Sequence, residues 1–119
     1  MNPRIESLEK MIGSPRDGAL LRFSLGNEYL KAENPAAAAA AFAAAVEVDA
    51  GYSAAWKALG KALLAAGKKS EALNAYEQGI LVAETRGDIQ AAKEMRVFAK
   101  RLLVEASPSG SKPPTPDQP

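Results

Sequence analysis

The chain has 119 residues, 47% of them hydrophobic, which is the size of one domain with a modest core. Fifteen basic against fourteen acidic residues leave a net charge of +1, which excludes the cationic excess of a protein that holds nucleic acid or an anionic membrane by charge. With no cysteine and no histidine, disulfides, Cys/His zinc sites and thiol or imidazole catalysis are excluded, and neither cofactor nor metal is expected. The first residues, Met1 to Met11, are charged and lack the apolar run of a signal peptide. No window offers the 18 apolar residues of a membrane span, so a cytoplasmic protein is expected.

Breakers divide the chain into helix-length segments: Gly13-Ser14-Pro15, Asn34-Pro35, Asp49-Ala50-Gly51, Gly67 and Gly87-Asp88. Between them Ala, Leu, Glu and Lys abound while Val, Ile and Thr are sparse, and no alternating strand pattern occurs. The predicted fold is all-α, with five to six helices. They run over Pro3 to Ile12, the weakest, then Gly18 to Lys31, Pro35 to Val48, Ser53 to Ala66, Lys69 to Thr85 and Asp88 to Glu105. Asn34 is a predicted N-cap with Pro35 at the first helical position, where its missing N–H costs nothing. Asp88 caps the last helix in the same way. Residues 107–119 hold five of the eight prolines and too little apolar bulk to offset their ordering entropy, so a disordered tail is expected there.

The chain matches itself at an offset of 34 residues: Leu25-Gly26 with Leu59-Gly60, Leu30 with Leu64, Ala32 with Ala66, Ala38 with Ala72, Phe42 with Tyr76, Val48 with Val82. This period and the pattern W-x2-L-G-x2-Y, A-x3-F resemble the tetratricopeptide repeat. One unit, residues 19–52, carries Leu25, Gly26, Tyr29, Ala38 and Phe42, with Arg22 in place of the tryptophan. The next, residues 53–86, carries Trp56, Leu59, Gly60, Ala72 and Tyr76, with Leu63 in place of the tyrosine. Ala50 and Glu84 stand where the closing proline is expected. Residues 3–12 match the second helix of an incomplete preceding repeat. Residues 88–105 depart from the pattern, Lys93-Glu94 replacing Leu-Gly, as a solvating final helix should.

The expected architecture is therefore an α-solenoid of antiparallel helix pairs over residues 1–106. Gly26, Gly60, Ala38, Ala45, Ala72 and Gly79 let paired helices approach, and Trp56, Tyr29, Phe42 and Tyr76 fill the space between successive pairs. Ala36, Ala37, Ala39, Ala40, Ala43 and Ala44 face outward in this scheme, where helix propensity alone would not demand alanine.

The resemblance implies a non-enzymatic scaffold that binds a peptide segment or partner protein in the groove lined by the first helix of each pair. The groove residues would be Phe23, Asn27, Leu30 and Lys31, then Lys57, Lys61 and Leu64, then Met95 and Phe98, spaced three or four apart within each helix. Asn27, Lys57 and Lys61 would form a donor-rich centre, and Phe23, Met95 and Phe98 apolar anchors. Similarity to the carboxylate clamp of chaperone-binding members is partial, since Phe23, Ala58, Asp88 and Ala92 occupy positions that need polar or basic groups. Gly67-Lys68-Lys69-Ser70 lacks the earlier glycine of a phosphate loop and reads as an inter-helix turn. Pro113-Pro114-Thr115-Pro116 matches P-x-x-P, though a solubilising role suits the tail better. A monomer is expected; the alternative is a self-assembly module that stacks through an end helix.

Overall fold

The computed structural model describes residues 2–105, and the expected disordered tail lies outside them. Six helices follow one another: α1 (Pro3–Glu9), α2 (Ala19–Lys31), α3 (Pro35–Val48), α4 (Ser53–Ala65), α5 (Lys69–Arg86) and α6 (Ile89–Glu105). No strand occurs among the described residues, and no helix there is long and apolar enough to cross a membrane. Successive helices pack antiparallel, each on the next, with a further contact between α4 and α6. The result is the expected α-solenoid, with α2, α4 and α6 in one layer and α3 and α5 in the other.

Local chemistry sets the helix ends. Asn34 Oδ1 accepts from the Ala37 N–H at 3.2 Å beside Pro35, and Asp88 Oδ1 accepts from Ala91 N–H at 3.3 Å; both satisfy donors that a first turn leaves free. The first helix is shorter than the Pro3 to Ile12 span expected. After Glu9 the bonds tighten to Met11 N–H on Leu8 C=O and Ile12 N–H on Glu9 C=O, and Gly13 at φ +82° turns the chain away.

Three helices end in one motif. Lys68 N–H reaches Leu63 C=O and Gly67 N–H reaches Leu64 C=O, with Gly67 at φ +81°. The same pair of bonds recurs around Gly87 and around Glu33. Glu33, at φ 59°, is the only non-glycine residue with positive φ among the described residues. It stands 34 residues before Gly67 and bears the left-handed geometry with a side chain, at a cost of roughly 1 kcal/mol.

The core is built on glycine–aromatic contacts inside each pair. A Cβ on Gly26 would overlap the Phe42 ring, and one on Gly60 would overlap the Tyr76 ring; both rings are buried. Gly79 serves the α5–α6 pair likewise, facing the Met95 sulfur, and a Cβ there would also lie 2.8 Å from Trp56 Cβ. Phe42 and Tyr76 thus fill space within a pair as well as toward the next unit, where Phe42 packs with Ala55 and Leu59 and Tyr76 meets Phe98. Tyr29 and Trp56 also connect the units: Tyr29 packs on both the cluster of Leu21, Leu25 and Ala41 and the one around Phe42, and Trp56 on both the latter and the cluster around Tyr76 and Met95. The end turns are tied as well, by Ser53 Oγ donating to Asp88 Oδ2 at 2.8 Å and by Arg86 donating to Gly51 C=O.

Gly26→Ala and Gly60→Ala should each destabilise the fold by about 1–3 kcal/mol in urea denaturation, as overpacking does. Adding Phe42→Leu to Gly26→Ala should restore part of the loss, a coupling that a double-mutant cycle measures. Glu33→Gly should instead raise the midpoint, with a gain of about 1 kcal/mol.

Candidate functional site

The α2–α4–α6 layer presents the residues that the repeat pattern assigns to a groove. Phe23 on α2 stacks obliquely on Tyr52 at the start of α4, ring centroids 5.0 Å apart, and on buried Phe42 at 5.6 Å. One edge of the ring is core and the other is accessible. Leu30 is half-buried against the same cluster. Lys31 is exposed and pairs with Glu28 at 3.3 Å. Asn27 is half-buried, and among the described residues no hydrogen bond joins it to Lys57 or Lys61.

The centre of the face is an ion pair that the repeat pattern did not anticipate. Lys57 Nζ on α4 lies 2.6 Å from Glu94 Oε1 on α6, while Gln90 Nε2, one turn earlier on α6, donates to Glu94 Oε2 at 3.1 Å. The carboxylate is thus held from two sides. The Lys57 hydrogen bond first, then Gln90, and to a smaller extent the Lys61 charge, keep the Glu94 carboxyl below its ordinary range. Lys61 itself is exposed on the next turn, as is Leu64. The expected donor-rich centre is therefore split: Lys57 is engaged by a carboxylate of its own chain, and Lys61 carries the accessible cationic charge.

Two of the three expected apolar anchors are partly covered, and one is not at the surface. Phe98 rests on Tyr76 at 5.5 Å and is half-buried. Met95 is fully buried, because its sulfur fills the space left open by Gly79. It packs α6 onto α5 and is not a groove residue. The offset of 34 held the signal, since Met95 falls in a helix whose Leu-Gly had become Lys93-Glu94; once that helix is a cap, its apolar side points only inward. Glu94, which replaces Gly60 at this offset, was legible in the same way.

The opposite side of the molecule carries apolar clefts where helix faces do not meet. One, of about 400 Å³, lies between α3 and α5 over α4. Ala36, Ala39, Ala40 and Ala43 form one wall, Asn74 and Ala75 the other, Trp56, Leu59 and Leu63 the floor, and Lys68 and Glu71 stand at one end. A second, of about 220 Å³, flanks α3 on its other side and includes Ile12, Tyr29, Ala37, Ala40 and Ala41. Ala39 and Ala41 are buried, so Ala39 is not the outward residue expected of it. The others that helix packing did not require leave the clefts open: a longer side chain at Ala36, Ala40 or Ala43 would fill the first. Among the described residues there is no cluster of three or more acidic, histidine or cysteine side chains able to hold a metal.

Residues 23–93 match the family model of the tetratricopeptide repeat. The chain belongs to the tetratricopeptide repeat family. It is 52% identical over 98 residues to a TPR repeat-containing protein of Pseudomonas aeruginosa, covering 82% of this chain and 93% of that one. It also superposes on the solution structure of a Bordetella parapertussis protein with a TM-score of 0.73 at 43% identity, over 88% of this chain and 91% of that one. The crystal structure of a tetratricopeptide repeat domain protein from Salinibacter ruber matches with a TM-score of 0.67 at 29% identity, over 73% and 97% of the two chains. Membership in this repeat family points to protein partners and to a scaffold fold.

The Glu94 carboxyl should titrate below an ordinary glutamate when followed by carboxyl NMR, and Lys57→Met should move it back up. Because its pKa is depressed, the pair contributes above the ordinary glutamate range and is lost as pH falls through the lowered value. Glu94→Gln should flatten the pH dependence of stability in that acid window only.

Proposed function

We propose that this repeat protein is a non-catalytic scaffold that receives an extended segment of a partner protein across its α2–α4–α6 face. The observation that carries the reading is Lys61 and Leu64: both are exposed on the middle helix of that face, and the packing of the units uses neither. Lys61 offers a cation beside the Lys57–Glu94 pair, Leu64 an apolar contact one turn away, and Phe23 with Tyr52 an aromatic edge at the far side. Charge and a small apolar contact on rigid helices suit a segment that carries an acidic and a hydrophobic side chain. Asn27 and Lys31 extend the same face along α2.

Val97 and Leu103, each 54% exposed on α6, favour a second reading, self-association through the last described helix. Four cations on that helix, Lys93, Arg96, Lys100 and Arg101, weigh against two copies meeting there face to face. A monomer therefore fits better.

Affinity capture with the native chain and with Lys61→Glu/Leu64→Ser decides the groove reading. The doubly substituted chain should lose partners retained by the native chain while keeping its stability within about 0.5 kcal/mol, as surface changes do. Identical bound proteins from both would refute it. Light scattering should give a mass near 12.5 kDa at all concentrations; a mass that rises with concentration would favour self-association.

A further inference from the structure

The cleft between α3 and α5 is apolar and floored by an indole, and the register of the last two helices brings the chain back to it. Gly79 faces Met95, Tyr76 meets Phe98, and Ala72 shares a cluster with Leu102. Each step toward the end of α6 is a step toward the start of α5. The last turn of α6 therefore lies beside the first turn of α5, and in that turn Glu71 lines the end of the cleft. From there the sequence continues through residues 106–119 and includes Pro113-Pro114-Thr115-Pro116.

We propose that Pro113, Pro114 and Pro116 of the chain's own C-terminal segment occupy the cleft between α3 and α5, lying over Trp56. Reach allows it: a fully extended chain covers at most about 3.3 Å per residue, so residues 106–112 can reach up to about 23 Å. Crossing the end of α5 requires only one helix diameter, about 10–12 Å. Chemistry favours it, because proline-rich segments seat in aromatic-lined apolar grooves at low entropic cost. The indole N–H of Trp56 already donates to Ala50 C=O at 2.8 Å, which leaves the ring itself as apolar floor. Charge is matched at the open end. Lys112 precedes the prolines, and Glu71, at the end of the cleft where the segment enters, offers the opposite sign. The alanines of α3 acquire a reason in this arrangement, since Ala36, Ala40 and Ala43 keep the wall low enough for a chain to lie against it. The inference stands apart from the α2–α4–α6 reading, which uses the other side of the molecule.

Trp56 is the only tryptophan in the chain and reports directly on the cleft. Three proteins are compared by emission and acrylamide quenching: the full chain, a chain ending at Ala106, and a full chain with Pro113→Ser, Pro114→Ser and Pro116→Ser, each checked for helix content by circular dichroism. Truncation and the triple substitution should both shift emission to longer wavelength and increase quenching without loss of helix. A synthetic peptide of residues 107–119 should reverse the change in the truncated chain at concentrations on the order of millimolar, the effective concentration that a short tether supplies. The same peptide should fail on truncated Ala40→Glu, whose wall intrudes on the cleft. Identical emission and quenching in all three proteins would overturn the proposal. So would a difference that grows with protein concentration, which would mean that the segment comes from a second copy.

Discussion

Everything in this fold depends on how closely two helices approach at a glycine. At Gly26 and Gly60 the space of a missing Cβ is taken by a ring, Phe42 or Tyr76, carried by the second helix of the same pair. The ring cannot sit there unless the glycine is present, and the helices cannot close without leaving a void unless the ring is. Alanines at 38, 45 and 72, all fully buried, hold the rest of the contact at the same short distance. The junction of α5 with the capping helix α6 keeps the rule but changes the chemistry: Gly79 accommodates the Met95 sulfur, whose flexible thioether fills an irregular gap without demanding one ring orientation. The cap is thus packed by a softer device than the two pairs before it.

Much of this was written in the chain because a period of 34 is a strong constraint on spacing. Leu25-Gly26 and Leu59-Gly60, with Ala38, Phe42, Ala72 and Tyr76, locate the paired helices without reference to any tertiary contact, and Asn34-Pro35 fixes one boundary almost to the residue. Phe42 and Tyr76 were legible as large core residues that join successive units, whereas their seats on Gly26 and Gly60 inside a pair were not, because position along the period does not say which gaps a ring reaches across. The end of α1 was misplaced for a related reason. Met11 and Ile12 continue the helical pattern, while the tightened turn and Gly13 that stop it depend on local hydrogen bonds that hydrophobic spacing does not encode.

The candidate groove was legible in outline and wrong in one residue and one partnership. Helical spacing put Lys57 and Lys61 on one face, which requires only geometry within α4. What Lys57 meets depends on how α6 sits against α4, and repeat periodicity broke down at α6: Glu94 stands where glycine stood, so the lysine gained a carboxylate from its own chain. The same break turned Met95 inward. Capping an array with charge therefore did more than solvate its end, because the capping helix changed the chemistry available to the unit before it. The clefts of the other face were invisible for a different reason, as they are made of side chains that are absent, and a run of alanine in a sequence announces helix rather than space.

Each helix packs chiefly on its immediate neighbours, with a smaller contact of α4 with α6, and this has a kinetic meaning. Contacts close over short stretches of chain, so little loop entropy is lost before packing begins, and such topologies fold at the fast end of the range for small domains. The two ends are not equivalent in this respect. α1 is a single short helix with no fully buried residue, held on α2 by half-buried Ile5 and Leu8 together with a Tyr29–Glu9 hydrogen bond and a 3.5 Å Arg4–Glu28 pair, whereas the α3–α4 and α5–α6 turns are clasped by Ser53–Asp88 and Arg86–Gly51. Local opening of the native array should accordingly start at its N-terminal end, with α1 exchanging its amide hydrogens ahead of the clasped turns.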